Sequence, residues 1–141
     1  MKVFFDNCTS PVFAGSLNAL IQPDGDQAHH VRFMSAFGFA HDTKDVDWIT
    51  KLGADNANWI VVTGDGRIRK NLAERAAWIR AGLKGFVLAP AYQKTPLHQC
   101  ASILLWRWPE MKTFIASAAP GSMFELPINR RPGGFVTLAV K

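Results

Sequence analysis

Three aspartates of this 141-residue chain stand where carboxylates could act together. Asp6 follows the apolar run Lys2 to Phe5, Asp65 follows the β-branched run Trp59 to Thr63, and Asp45 opens a segment with helical apolar spacing. Carboxylates brought together repel one another, and such a cluster is tolerated only when a cation or a shared proton compensates. Magnesium is the natural partner, because hard divalent ions take oxygen ligands and are often held by a few carboxylates plus substrate phosphate. Asp47 lies on a different side of the same helix and is the second choice there. Just after Asp65, Arg67, Arg69 and Lys70 begin the next helix, and Arg75, Arg80 and Lys84 continue its polar face. Each feature also has a plain structural reading. Asp6 would cap the helix near Pro11, Asp45 would complement a helix dipole, Gly64-Asp65-Gly66 would turn a hairpin, and the cations would be a solvated helix face.

These carboxylates can meet only if the elements between them bring them to one place. Val12, Phe13, Leu17, Leu20 and Ile21 recur near helical spacing between Pro11 and Pro23, after the first strand. His29 to Met34 reads as a second strand, and Val46, Ile49 and Leu52 give a second helix running to about Asp55. Trp59 to Thr63 is the third strand. Ile68, Leu72, Ala76, Ile79 and Leu83 then keep helical spacing, and Phe86 to Ala89 is a fourth buried strand. Thr95 and Pro96 start a further helix that Pro109 should kink or restart, with Met111, Phe114, Ile115 and Ala118 carrying the second part. Met123 to Leu126 and Phe135 to Val140 are late strands separated by the basic loop around Arg130 and Arg131.

Strands alternating with helices predict parallel βαβ units, hence an α/β fold with three layers and a mostly parallel, doubly wound sheet. In strand order 2-1-3-4, the ends of the first and third strands are neighbours at the switch point where ligands of such folds bind. Asp6 and Asp65 sit just beyond those two ends.

At 141 residues and 48% hydrophobic content, one domain spanning 1–141 is expected. No apolar run approaches the roughly 20 residues that cross a bilayer, and the start of the chain lacks a secretion signal, so a cytoplasmic protein with no membrane partner is expected. Cys8 and Cys100 have no zinc spacing and read as reduced thiols. The net charge of +5 hints at an anionic partner such as nucleic acid. Neither a GxxxxGK[ST] loop nor a GxGxxG fingerprint is present, which argues against nucleotide hydrolysis and dinucleotide binding. His29 and His30 point to opposite faces of a strand, and His41 and His98 lack ligand spacing to them. Trp48, Trp59 and Trp78 read as core, whereas Trp106 and Trp108, flanking Arg107, read as core or as a partner or homodimer surface.

Phe4-Phe5-Asp6-Asn7, Lys44-Asp45-Val46-Asp47-Trp48-Ile49 and Ile60-Val61-Val62-Thr63-Gly64-Asp65, in that order, resemble the pattern of PIN and PIN-like domains over roughly residues 1 to 90. With only Ser35 to Lys44 where a longer member carries an acidic helical arm, the chain resembles the shortened PIN-like variants. The resemblance implies a metal-dependent RNA endonuclease, frequently the toxin of a bacterial toxin-antitoxin pair, with a cognate antitoxin as protein partner. It implies Asp6, Asp45 and Asp65 as catalytic ligands of Mg²⁺ or Mn²⁺, with Thr63 positioning Asp65 or a water; Asn7, Asp47 and Thr63 are the additional site candidates. Arg67, Arg69 and Lys70 would then bind RNA phosphates, with Arg130 and Arg131 as a second contact. The competing function is a non-catalytic RNA-binding or protein-interaction module on the same fold.

Overall fold

The computed structural model describes residues 1–129 and 134–140, so Arg130 and Arg131 lie outside the described residues. The β-branched and aromatic runs form β1 (Lys2–Phe5), β2 (Gln27–His30), β3 (Trp59–Thr63), β4 (Lys84–Leu88), β5 (Met123–Leu126) and β6 (Val136–Leu138). They make one sheet in the order β2-β1-β3-β4-β5-β6, parallel throughout except for β6, which runs antiparallel to β5 at the edge. The expected order of the first four strands is the observed one. Phe5 is in register with both His30 and Val62, so the residues following β1 and β3 emerge side by side.

Because side chains alternate along a strand, each central strand feeds two cores. Val3, Phe5, Ile60, Val62 and Phe86 pack with α1 (Pro11–Ile21) and α4 (Leu97–Ala116). Phe4, Val61 and Val87 pack on the other face with Trp48 and Trp78, from α2 (Asp45–Ala54) and α3 (Leu72–Ala81). The result is the three-layer α/β/α arrangement. Helices α2 and α3 touch almost backbone to backbone: a Cβ on Gly53 would fall 2.4 Å from the Cβ of Ala81. Their N-terminal turns both follow the crossover from a strand and so lie at the carboxyl edge of the sheet.

Several expected elements differ. The second strand is Gln27–His30, and Val31–Phe33 is instead a 3₁₀ turn capped by His30, whose Nδ1 accepts from the Arg32 N–H at 3.2 Å. The third helix starts later than its apolar spacing predicts. Gly66–Arg69 forms a 3₁₀ turn, and Leu72 and Ile79 of α3 face outward, while Ala77 and Trp78 are buried. Helix α4 runs through Pro109 as one element of 20 residues. The lost hydrogen bond is outweighed by burial of Leu104, Trp108, Met111 and Ile115 on both sides of the proline. Trp48, Trp59 and Trp78 are core, as expected, but Trp106 and Trp108 do not share a surface: Trp108 and Arg107 are buried and Trp106 is exposed. Lys84 begins β4 at the opposite edge of the sheet, donating to the Ile115 carbonyl at 3.3 Å, so it is not part of the basic helix face.

That opposite edge is clasped by Asp26. Its buried carboxylate accepts from Lys112 Nζ at 2.5 Å and from the N-terminal ammonium at 2.9 Å. Burial disfavours the charge, but the two ammonium groups outweigh it and hold the Asp26 carboxyl below the usual range. No helix among the described residues is long and apolar enough to cross a membrane.

Candidate metal centre

Asp6 leaves the end of β1 with its backbone N–H on the Val62 carbonyl, at 3.3 Å, and its side chain pointing into the protein. The helix-cap reading fails, because Ser10 caps α1 through its hydroxyl oxygen, which accepts from the Val12 N–H at 3.2 Å. Asp6 Oδ1 accepts from the Cys8 N–H at 3.1 Å, and Oδ2 accepts from the hydroxyl of Thr63. Burial pushes the Asp6 carboxyl up to about 7, with the charge of Asp45 adding to the rise and the hydrogen bonds from Thr63, Gly64 and Cys8 opposing it.

Thr63 ends β3, and its Oγ also accepts the Asp65 N–H at 3.0 Å, so one hydroxyl links both strand-end aspartates. The hairpin reading of Gly64-Asp65-Gly66 fails because β3 and β4 are parallel. Gly64 is required by proximity: a Cβ there would sit 2.5 Å from the Cys8 carbonyl oxygen. The loops after β1 and β3 are in contact through that gap.

Asp45 lies in the first turn of α2, with Oδ1 accepting from Trp48 Nε1 at 2.9 Å. Burial raises its pKa, and the charge of Asp65 raises it further. Glu74, in the first turn of α3, stands within hydrogen-bonding reach of Asp45, and its own pKa is raised by burial and then by Asp45 and Asp65. Glu74 is a fourth carboxyl that the sequence reading missed. Asn71-x-x-Glu74 looks like a capping box, in which the Glu reaches back to the cap N–H. Here that N–H donates instead to the Arg67 carbonyl at 2.8 Å, and the Glu74 carboxyl faces Asp45.

Asp65 is held by Arg67. The guanidinium places Nε 2.8 Å and Nη2 2.7 Å from Oδ2, and the Arg67 N–H lies 2.9 Å from Oδ1. Arg67 thereby keeps the Asp65 carboxyl below its usual range. Arg69 is half-buried on the same 3₁₀ turn and Lys70, exposed, follows it, so the cationic trio lies on and just after a turn rather than on a helix face, and of the three Arg67 makes the ion pair with the cluster. Asn7 is exposed and makes no hydrogen bond to the cluster among the described residues. Asp47 is exposed and lines a separate surface cavity of about 310 Å³ with Phe37, Asp42, Lys44 and Lys51.

The cluster therefore gathers Asp6, Asp45, Asp65 and Glu74 around the carboxyl edge, with the hydroxyl of Thr63 between two of them. These are hard oxygen donors, and the pKa values of three of them are raised by burial first and by neighbouring carboxylates second, costs that a bound divalent cation would offset. The spacing is not that of a closed cage: among the described residues no group of three or more His, Cys, Asp or Glu is placed to hold a metal ion. A family profile described as a PIN like domain matches residues 1–90, more than half of the chain. The chain belongs to the PIN-like domain family. Every carboxyl of the cluster, Glu74 included, falls inside the stretch that matches the PIN-like profile, whereas α4, β5 and β6 lie beyond it. The sheet order and helix layers are those of this nuclease-type fold. No curated protein and no solved structure matches the chain.

Proposed function

We propose that this PIN-like protein is a metal-dependent endoribonuclease whose ion is held by Asp6, Asp45 and Asp65, with Glu74 as a fourth carboxyl. The observation that carries the reading is the convergence of four acidic side chains on one sheet edge, inside the stretch that matches the family, with Arg67 paired to one of them. Mg²⁺ or Mn²⁺, when bound, supplies neutralisation of the scissile phosphate and an acidified water. The chain's own groups supply the rest. Thr63 fixes Asp6 and the Asp65 backbone in one hydrogen-bond network, which pre-sets the ligand oxygens. Asp45 and Glu74 stand within hydrogen-bonding reach of each other, and burial raises the pKa of both, so an ion held at this edge would lower the cost of keeping them charged. Lys70 and Arg69 stand where they would meet substrate phosphates.

In a toxin, a cognate antitoxin would cover this edge and silence it; that role rests on the family resemblance. The open spacing of the carboxyls and the hold of Arg67 on Asp65 favour a second reading, an RNA-binding module without turnover. Incubating unstructured RNA with the protein in Mn²⁺, in Mg²⁺ and in EDTA separates the two. Cleavage in Mn²⁺ that EDTA abolishes, and that Asp65→Asn lowers by about a hundredfold or more, is the expected result. Binding without cleavage in either metal selects the module.

A further inference from the structure

Two of the most outward-facing apolar side chains of the described residues follow β2 and β3, the two strands that flank β1. Phe33 is 71% exposed and Leu72 is 73% exposed, more than any other large hydrophobic residue described. Phe33 follows β2, Leu72 opens α3, and both segments lie at the carboxyl edge that carries Asp6 and Asp65. Each has exposed cations beside it: Arg32 adjoins Phe33, and Arg67 and Lys70 precede Leu72.

The Phe33 ring is built onto the site. His30, almost fully buried, packs its ring 6.5 Å from that of Phe33, centroid to centroid. Its Nδ1 accepts from the Arg32 N–H at 3.2 Å, which leaves the proton on Nε2 to donate to the Thr9 carbonyl at 3.0 Å. Thr9 in turn donates to the Asp6 carbonyl through its hydroxyl at 2.8 Å and through its N–H at 3.1 Å. A short chain of hydrogen bonds therefore fixes the turn bearing Phe33 relative to Asp6, and the ring is displayed rather than left on a frayed end.

We propose that Phe33 and Leu72 are base platforms bracketing the acidic cluster, Phe33 stacking an unpaired nucleobase on one side and Leu72 packing a base on the other, with Arg32 and Lys70 meeting the adjoining phosphates. The inference rests on the ribonuclease reading and deepens it by assigning the substrate's bases a place. An alternation of apolar face and cation suits the alternation of base and phosphate in a single strand, whose bases are free to stack. In a paired duplex the base faces are already stacked on one another and neither platform is of use.

The probes are a labelled single-stranded 12-mer of adenylate, the same strand paired with uridylate, and an abasic 12-mer of ribose phosphate, each followed by anisotropy in EDTA so that binding is read without cleavage. The protein should bind the adenylate strand more tightly than the other two. Phe33→Ala should weaken it by about tenfold and Leu72→Ser by a few fold, with Phe33→Trp restoring binding and the abasic strand unaffected by all three. Both positions are exposed, so thermal melting should not change. If Phe33→Ala binds adenylate like the parent while Lys70→Gln still weakens it, the platforms are overturned and the RNA reading stands. If no probe binds the parent either in EDTA or with Ca²⁺ in place of Mg²⁺ or Mn²⁺, the ribonuclease reading itself fails. Should Phe33→Ala instead abolish only self-association in sedimentation, the surface faces protein and the proposal is wrong.

Discussion

The hydroxyl of Thr63 donates to Oδ2 of Asp6, joining residues 57 positions apart in the chain. Parallel pairing of β1 with β3 puts the two strand ends in register, and this hydrogen bond converts that register into a fixed separation between a buried carboxyl and the Asp65 backbone. The position of the centre is thus set by the sheet, and its tuning by what lies around Asp6.

Asp6 should oppose folding at neutral pH when no cation is bound. Its folded pKa of about 7 lies above the ordinary 3.8, so its cost is nil at low pH, grows as pH rises from 3.8 to 7, and is constant above that. Asp6→Asn, which can keep the bond from Cys8, should stabilise the protein in EDTA by at most about 4 kcal/mol at pH 8 and by less at pH 5. Denaturant titrations at both pH values check this; a stability difference that does not change with pH contradicts it.

Gly64→Ala should damage the centre more than Gly66→Ala does. The first Cβ would meet the Cys8 backbone at 2.5 Å, whereas the second would make an ordinary contact, 3.7 Å from Val87 Cγ1. A backbone neighbour cannot rotate away, so Gly64→Ala should cost roughly 1–3 kcal/mol and separate the loops that carry Asp6 and Asp65. Thermal melts and Mn²⁺ affinity of the two variants give the comparison, and equal behaviour would remove the close approach from the account.

Arg67→Gln should raise affinity for Mn²⁺ while lowering affinity for RNA. The guanidinium neutralises Asp65 and competes with any other cation for its oxygens, so its removal frees a ligand. Calorimetry should show severalfold tighter Mn²⁺ binding, and RNA binding should lose about one unit of salt slope if Arg67 also meets a phosphate. Weaker Mn²⁺ binding would mean that Arg67 orients Asp65 instead of competing for it.

At the far edge of the sheet, Lys112→Met should destabilise the protein near neutral pH without touching the centre. Asp26 has a depressed pKa, so its contribution is present above the ordinary carboxyl range and is lost as pH falls through its lower folded value. With Lys112 half-exposed, solvent screening limits the loss to about 1 kcal/mol, a fall of roughly 2–4 °C in melting temperature. The difference should close as pH falls through the lowered Asp26 value, and metal affinity should be unchanged.

Much of this arrangement was legible in the sequence because it follows from local pattern. The buried strands are short apolar runs with clear ends, and alternation with helices dictates parallel pairing, so the juxtaposition of Asp6 with the Thr63–Asp65 turn could be read before any coordinates. What escaped depends on contacts between distant segments. Glu74 escaped because it lies a helix turn beyond the strand end, and only the packing of α3 on α2 brings its carboxyl to Asp45. The apolar stripe of α3 misled because the helix meets α2 and β4 through Ala77 and Trp78, with Gly85 leaving room for the indole, and its leucine and isoleucine face outward. Pro109 signalled a break that packing on both sides overrides. The hold of Arg67 on Asp65 is a choice among rotamers that no spacing encodes.

Titration of Mn²⁺ into the metal-free protein, followed by calorimetry or by the paramagnetic spectrum of the free ion, tests the central claim most directly. The parent should bind the ion saturably, with affinity rising as pH passes the Asp6 value of about 7 because proton and metal compete for the same carboxyl. Asp6→Asn, Asp45→Asn, Asp65→Asn and Glu74→Gln should each weaken binding by tenfold or more, while Asp47→Asn, on its separate surface, should bind like the parent. Parent protein that binds no Mn²⁺ at any pH where it is folded, or binding that survives all four substitutions, would contradict the metal centre.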